Sequence, residues 1–358
     1  MKKIFFIVIL MTFVLGSGKI FACTGITLQT QDSQYVVART IDWAKEPLTA
    51  MYVVVPRGNK QQSMMPDNSR MGARWITNYG YVGIAVENES YIMEGINESG
   101  LSAGLFYFPR YGDYHAYEPN VKNLYVSDMQ FVSWVLGCFS SIDDLMDILP
   151  MIRVVGIDSR ASTVHWRVTD PSGRQIVIEL VDQVFNVYEN KLGVLANSPD
   201  LPWHLTNLNN YVNLSPGSTA GNIAGLSLEA FSSGSGMLGL PGDMTSPSRF
   251  VRAAFLQTTA PKLANAEHTV VQAFHLLNHF DIPVGMQIEA SEQIPDMPSA
   301  TQISIVTDLQ HQRLYYRTMY NANIRCIDLQ KIDFDRVRFR TELLDVNRNQ
   351  PIENIEIY

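Results

Sequence analysis

The hydrophobic and polar positions change register several times along the chain, and each register predicts an element. Residues 4–16 are almost all apolar; they follow Met1-Lys2-Lys3 and run into the small and polar residues Gly16-Ser17-Gly18. From residue 23 the pattern shortens to alternation rich in β-branched side chains, so 24–30, 34–39 and 51–55 read as strands. The polar turn Gln31-Asp32-Ser33 joins the first two, and Pro56-Arg57-Gly58-Asn59 closes the third. Residues 61–70 are polar and read as a loop. Further strands are expected at 81–86 and 101–108, separated by the turn Asn97-Glu98-Ser99-Gly100, and 109–123, rich in Tyr, Gly and Pro, reads as a loop. The spacing then becomes helical over 127–139. Ser141 followed by Asp144 has the pattern of a capping box for a second helix, ending near Leu149 before Pro150. Alternation returns at 162–169, 175–181, 185–188 and 192–196. Residues 198–245 are turn-rich and include Ser232-Ser233-Gly234-Ser235-Gly236. Ser246-Pro247 opens a helix to about Gln257, with proline in its first turn, and 267–278 is another. A hairpin-like pair at 302–307 and 313–318 follows, and the acidic end from Glu342 reads as peripheral.

Strands, helices, strands, helices and strands in that order, joined mostly by hairpin-length turns, predict an α+β protein. Two stacked, mostly antiparallel sheets would carry helices outside each. No internal repeat is visible and no linker divides the chain, so 23–358 reads as one domain.

The start of the chain has a chemistry of its own. Two lysines, a short apolar run and Ala22 before Cys23 describe a secretory signal peptide over 1–22, removed from the mature protein. The run is shorter than the roughly 20 residues a membrane-spanning helix needs. Cleavage after Ala22 makes Cys23 the first of 336 residues (358 minus 22), with a thiol and an α-amine on one residue. An α-amine titrates near pH ~8, so such a cysteine carries nucleophile and base together, without a histidine partner. Two other readings stay open. Cleavage elsewhere leaves Cys23 an ordinary buried thiol. Alternatively, Ile20-Phe21-Ala22-Cys23 is a lipoprotein signal, and the product is a lipid-anchored, non-catalytic envelope binding protein with acylated Cys23. Phe21 fits that signal poorly.

Composition narrows the classes further. With 46% hydrophobic and 17% charged residues the chain can bury a large core, and a net charge of −8 without a basic run argues against a nucleic-acid partner. No second apolar run reaches membrane length. Three cysteines, Cys23, Cys138 and Cys326, are too few for a disulfide scaffold. Cys138 reads as a core thiol and Cys326 as a strand residue; whether these two pair is left open.

Arg39 and Asp42 follow Cys23 by 16 and 19 residues. If the first two strands form a hairpin, Arg39 returns to the edge where Cys23 sits. There a carboxylate would orient an N-terminal ammonium and a guanidinium would favour the thiolate; the other reading is that Arg39 and Asp42 pair with each other. His275 and His279 stand one helical turn apart without a third ligand and read as structural. Gly234-Ser235-Gly236 does not match a nucleophile elbow and reads as a turn. Phe106-Tyr107-Phe108, with Tyr111 and Tyr114, could line an apolar acyl pocket, although strand alternation would send some of those rings into the core. Trp203-His204, beside Asn197, could line the pocket, and packing is the first reading.

Five blocks fall in one order: Cys23-Thr24-Gly25 after a leader, Ala38-Arg39-Thr40-Ile41-Asp42-Trp43, Asn97-Glu98-Ser99-Gly100-Leu101, Leu195-Ala196-Asn197-Ser198-Pro199, and the run from Pro241 to Phe250 containing Ser248-Arg249-Phe250. Together they resemble the choloylglycine hydrolase family, the bile salt hydrolases and penicillin V acylases of the N-terminal nucleophile (Ntn) superfamily. The likeness continues loosely to Lys331-Ile332-Asp333-Phe334. It implies a four-layer αββα fold and hydrolysis of linear, non-peptide amide C–N bonds in a small molecule with an apolar acyl group, with no metal or organic cofactor. By position, Cys23 resembles the nucleophile, Asp42 the carboxylate holding its amine and Arg39 the guanidinium beside the sulfur. Asn197 and the backbone N–H of Tyr107 resemble the oxyanion donors, and Arg249 the support of the charged network. Tyrosine at position 107 leans towards penicillin V acylases, since bile salt hydrolases often carry Asn there. A leader looks like the Gram-negative branch, which also cleaves acyl-homoserine lactones, and implies a periplasmic protein. The 52 residues from Asn197 to Arg249 (249 minus 197) have room for the extended loop that Gram-positive relatives use for tetramer contacts, so a homotetramer is one expected assembly.

Overall fold

The structure, a computed structural model, describes residues 21–66, 71–157, 162–286, 288–294 and 296–357. The expected leader lies outside the described residues except for its last two positions. Phe21–Gln29 and Tyr35–Trp43 form the expected hairpin, in unbroken antiparallel register from Phe21↔Trp43 to Gln29↔Tyr35. Both faces of the hairpin are covered by other layers. Ile26, Leu28, Val36 and Ala38 pack with Phe250, Ala253, Val270 and Phe274 of the helices Ser246–Thr259 and Ala266–Leu277. Val37 and Ile41 point the other way, into the core shared with a second sheet.

The hairpin is one end of a five-stranded antiparallel sheet continued by Thr301–Asp308, Arg313–Thr318 and Asn321–Asp328. The second sheet has eight antiparallel strands in the order Val184–Glu189, Gln175–Val181, Val164–Thr169, Ser102–Tyr107, Ile92–Asn97, Tyr81–Val86, Ala50–Val55 and Arg340–Leu343. Helix Phe131–Cys138 lies on Ile92–Asn97 and Ser102–Tyr107. Helices, sheet, sheet and helices make the expected αββα stack.

Several boundaries differ from the sequence reading. Ile92–Asn97 is a fully buried strand that alternation does not reveal, because Glu94, Gly95 and Asn97 interrupt its apolar residues. Within 61–70, Gln61 and Gln62 belong to a short strand, Lys60–Gln62, paired with Arg74–Ile76; positions 67–70 lie outside the described residues. The helix expected from 127 starts at Phe131, after a short strand at Tyr125–Ser127. The segment 192–196 contributes one bridge, Gly25↔Leu195, and no strand. Residues 198–245 hold a helix, Leu201–Asn207, capped where Asp200 accepts from the Trp203 N–H (2.9 Å), and an exposed hairpin, Ala220–Ile223 with Leu226–Glu229. The acidic end is peripheral as expected: only Glu342 and Leu343 join a strand, Arg340–Leu343, at the edge of the large sheet beside Ala50–Val55. Ser141 does cap its helix, accepting from the Asp144 N–H at 3.1 Å. Cys138 ends a helix, Cys326 lies on an outer strand, and both are unpaired. Among the described residues no helix is long and apolar enough to cross a membrane.

Candidate active site

Cys23 stands opposite Ile41 in the first hairpin, so its side chain shares the inter-sheet face with Ile41 and Arg39. It is 5% exposed and opens onto a cleft of about 700 Å³, part of it open solvent, between the two sheets. Ile41, Trp43, Leu48, Val86, Tyr91, Met93, Leu105, Met129 and Val164 make the cleft almost wholly apolar; Arg39, Tyr107, Glu46 and Glu87 also line it. That apolar lining suits a small-molecule acyl group.

The backbone nitrogen of Cys23, a peptide N–H in the continuous chain, donates to Asn197 Oδ1 at 2.8 Å. Asn197 is the hub of the site. Its Oδ1 also accepts from Arg249 Nη2 (2.7 Å), and its Nδ2 donates to the Tyr107 carbonyl (2.8 Å). An arginine can only donate and a carbonyl only accept, so the amide cannot be flipped. One Nδ2 hydrogen is committed to Tyr107 and leaves the second to aim elsewhere. Leu105 and Tyr107 offer their carbonyls to Arg39 and Asn197, while the Phe108 N–H bonds Thr163 on the next strand. Antiparallel alternation therefore turns the Tyr107 N–H to the same edge as its carbonyl, towards Asn197.

Arg249, 2% exposed, ties the site together from the first turns of its helix. Besides Asn197 it donates to the Cys23 carbonyl (2.5 Å), Thr24 Oγ1 (2.7 Å) and the Met244 carbonyl (3.0 Å). Burial pulls its guanidinium below the ordinary arginine range, and nearby Asp42 and Cys23 oppose that pull. Asp42 lies on the other face of the strand from Ile41. It accepts from Thr301 Oγ1 (2.7 Å) and Thr40 Oγ1 (3.1 Å). Complete burial pushes its carboxyl up to about 7, against the pull of Arg249, the two threonines and Arg39.

Arg39 does not pair with Asp42. Its Nη1 donates to Met93 O (2.9 Å) and Leu105 O (2.5 Å) and stands 3.6 Å from Glu94 Oε2, while its guanidinium lies 3.9 Å above the Phe106 ring centre. Glu94 also receives Arg167 Nη2 at 2.9 Å. Two arginines thus share one carboxylate behind the cleft, all three buried, where a lone charge would be expensive.

The structure therefore joins Cys23, Tyr107, Asn197 and Arg249 by hydrogen bonds and sets Arg39 in the cleft wall, while Asp42, on the far face of its strand, bonds Thr40 and Thr301 and not the Cys23 nitrogen, which Asn197 holds instead. It does not assemble the expected aromatic pocket. Of Phe106, Tyr107, Phe108, Tyr111 and Tyr114, only Tyr107 lines the cleft. Phe106 lies under Arg39, Phe108 stacks on His165, and Tyr114 packs on Trp166. Neither Trp203 nor His204 lines the cleft; His204 packs on Phe250 as the packing reading has it, whereas Trp203 is exposed. Glu94 and Arg167 escaped the sequence reading because each lies in an ordinary strand, and the cleft walls because their residues come from separate strands and loops. The one signal was a charged residue inside an apolar run. Among the described residues no group of three or more His, Cys, Asp or Glu side chains is placed to hold a metal ion.

Comparison with known proteins gives a consistent result. The model of the family described as linear amide C–N hydrolases, choloylglycine hydrolase family, matches residues 23–342. A bile salt hydrolase/transferase of Clostridium perfringens is 30% identical over 326 residues, covering 89% of this chain and 96% of the relative. A penicillin V acylase of Pectobacterium atrosepticum is 24% identical, over 95% of this chain and 90% of its own. A crystal structure of conjugated bile acid hydrolase from Clostridium perfringens, an arginine-to-leucine variant, superposes with a TM-score of 0.78 at 27% identity, covering 93% of this chain and 100% of that one.

Proposed function

Because this chain belongs to the choloylglycine hydrolase family of linear amide C–N hydrolases, we propose that it is an exported amidase of penicillin V acylase type whose nucleophile is Cys23. The leader ends at Ala22, the mature protein resides in the periplasm, and leader removal converts the Cys23 peptide nitrogen into an α-amine. The observation that carries this reading is the Cys23 nitrogen held by Asn197 at the mouth of an apolar cleft. The substrate's acyl group occupies that cleft, and the thiolate attacks the amide carbonyl. The second Asn197 Nδ2–H and the Tyr107 N–H hold the oxyanion. The C–N bond breaks as the Cys23 ammonium gives its proton to the leaving amine. Water, deprotonated by the same amine, then opens the thioester, releasing the acid and restoring the thiolate. Asp42 and Arg249 hold the charges about the amine, and Arg39 stands beside the cleft.

Every cation in the cleft wall is already engaged: Arg39 is committed to two carbonyls and Glu94. Glu46 and Glu87 add negative charge to the lining. The acyl group is therefore apolar and uncharged at its far end, as in phenoxyacetyl or fatty acyl amides, and penicillin V is the first substrate to test, ahead of acyl-homoserine lactones and conjugated bile salts. We further propose that the exposed hairpin 220–229 is an arm for homotetramer contacts; it presents Ile223, Leu226 and Leu228 to solvent with Phe231 just beyond.

The test is the intact mass of protein recovered from the envelope, followed by a substrate screen. A mass for Cys23–Tyr358 with an alkylatable N-terminal cysteine, hydrolysis of at least one of these amides, and loss of that activity in Cys23→Ala are expected. A terminus elsewhere, an acylated Cys23, or a fully active Cys23→Ala would sink the reading.

A further inference from the structure

His165 and Glu179 are buried ionisable side chains that no step above uses. His165, on Val164–Thr169, has no solvent exposure; its Nδ1 is 3.1 Å from Glu179 Oε1 and its Nε2 3.0 Å from the Ala196 carbonyl. Both ring nitrogens face acceptors. The ring therefore links the Glu179 carboxyl group to the Ala196 carbonyl through its two nitrogens. Glu179, on the adjacent strand, is equally buried and also accepts the Leu201 N–H (3.0 Å) that opens the helix after Asn197. The imidazole stacks flat on Phe108, with centroids 4.4 Å apart and planes 10° apart.

A buried polar pair is weak evidence for stability, since apolar side chains of the same volume often serve as well. The position of this one is more informative. One face of the ring holds Phe108, next to Tyr107, and one edge holds the carbonyl of Ala196, next to Asn197. The two residues that supply the oxyanion donors are thus fixed to a single imidazole. The Asn197 side is also held by its own side chain, by the Asn197 N–H donating to Ser246 Oγ (2.9 Å) and by Ser198 Oγ donating to the Pro109 carbonyl (2.6 Å), but not by a sheet. The segment meets the first strand only through Gly25↔Leu195, so no sheet ladder receives the carbonyls that follow. Side chains do so instead: His165 at Ala196 and His204 Nε2 at Asn197 (2.8 Å).

We propose that the His165–Glu179 pair is a positioning device for the oxyanion site, setting the separation between the Asn197 side chain and the Tyr107 N–H. The proposal rests on the amidase reading and on those two groups being the donors. Oxyanion donors work only within a few tenths of an ångström of their place, and a misplacement of about 1 Å costs roughly 10²-fold in rate.

Glu179→Gln keeps the shape and replaces the carboxyl group beside His165 Nδ1 by an amide, which changes what the ring can bond to. The assay uses whichever of penicillin V, glycocholate or N-decanoyl-homoserine lactone the wild type cleaves fastest, together with the rate of Cys23 alkylation by iodoacetamide. Alkylation is a displacement at a saturated carbon and develops no oxyanion. The expected result is a kcat lower by about 10- to 100-fold, with KM and the alkylation rate near wild type and little further loss when the change is added to Asn197→Ala. His165→Gln gives the same readouts if Glu179→Gln does not fold. An unchanged kcat in a folded variant, a parallel fall in alkylation, or losses that multiply with those of Asn197→Ala would overturn the proposal. A wild-type enzyme inert towards every amide would instead overturn the amidase reading.

Discussion

Asn197→Asp separates binding at Asn197 from catalysis more cleanly than truncation. The substitution is isosteric. It keeps an acceptor for the Cys23 nitrogen at 2.8 Å and for Arg249 Nη2 at 2.7 Å, and makes the second bond charge-assisted. It replaces the donor facing the Tyr107 carbonyl, 2.8 Å away, by a second acceptor. The new charge-assisted bond contributes about 1.5–3 kcal/mol, and the lost bond with its buried, unsatisfied carbonyl costs a similar 1–3 kcal/mol, so the fold should survive with little change in Tm. The reaction should not survive. The side chain can no longer donate to the oxyanion, which by itself costs about 10²–10³ in kcat, and its charge opposes the one that develops. Hydrolysis of penicillin V or the best available amide, thermal unfolding, and iodoacetamide alkylation of Cys23 together form the assay. The reasoning predicts a folded, alkylatable and nearly inactive enzyme. A folded variant whose kcat stays within about tenfold of wild type would show that Asn197 is not an oxyanion donor.

Two further outcomes are expected. Burial lowers the His204 imidazole to about 4, so the folded protein keeps it neutral while the unfolded chain protonates near pH ~6.5. The stability tied to that neutral ring is complete above pH ~6.5 and is lost as pH falls to about 4, at most about 3 kcal/mol. In urea unfolding at pH values across that window, His204→Gln should lose less stability towards acid than wild type, and parallel curves for the two proteins would refute the assignment. For the exposed hairpin, Leu226→Ser with Phe231→Ser should convert a tetramer to smaller species in light scattering while leaving Tm nearly unchanged. A wild-type protein that is monomeric at all concentrations would exclude the arm.

Much of the site follows from local sequence. Alternation through 24–30 and 34–39 with a polar turn between predicts the hairpin, and the hairpin brings Arg39 and Asp42 back to Cys23 whatever the rest of the chain does. Asn197 and Arg249 were legible only through the resemblance of their blocks to the family, whereas Ser141 was legible as a cap from its own neighbours. The layers of the fold followed from the order of strands and helices. The partners of buried charge were not legible. Glu94 and Arg167 lie 73 residues apart (167 minus 94) on strands that are not adjacent, and Arg39 joins them from the other sheet. In sequence Glu94 looks like an interruption of a strand, and only the opposing arginines make it a strand residue. The same holds for His165 and Glu179, and for the fate of Phe106, Tyr107 and Phe108, whose alternation says that the rings diverge but not which one meets the cleft. Periodicity reports which side chains share a face. What that face meets depends on how two sheets are stacked, and a charge can enter the low dielectric between them only where the stacking delivers its counter-charge.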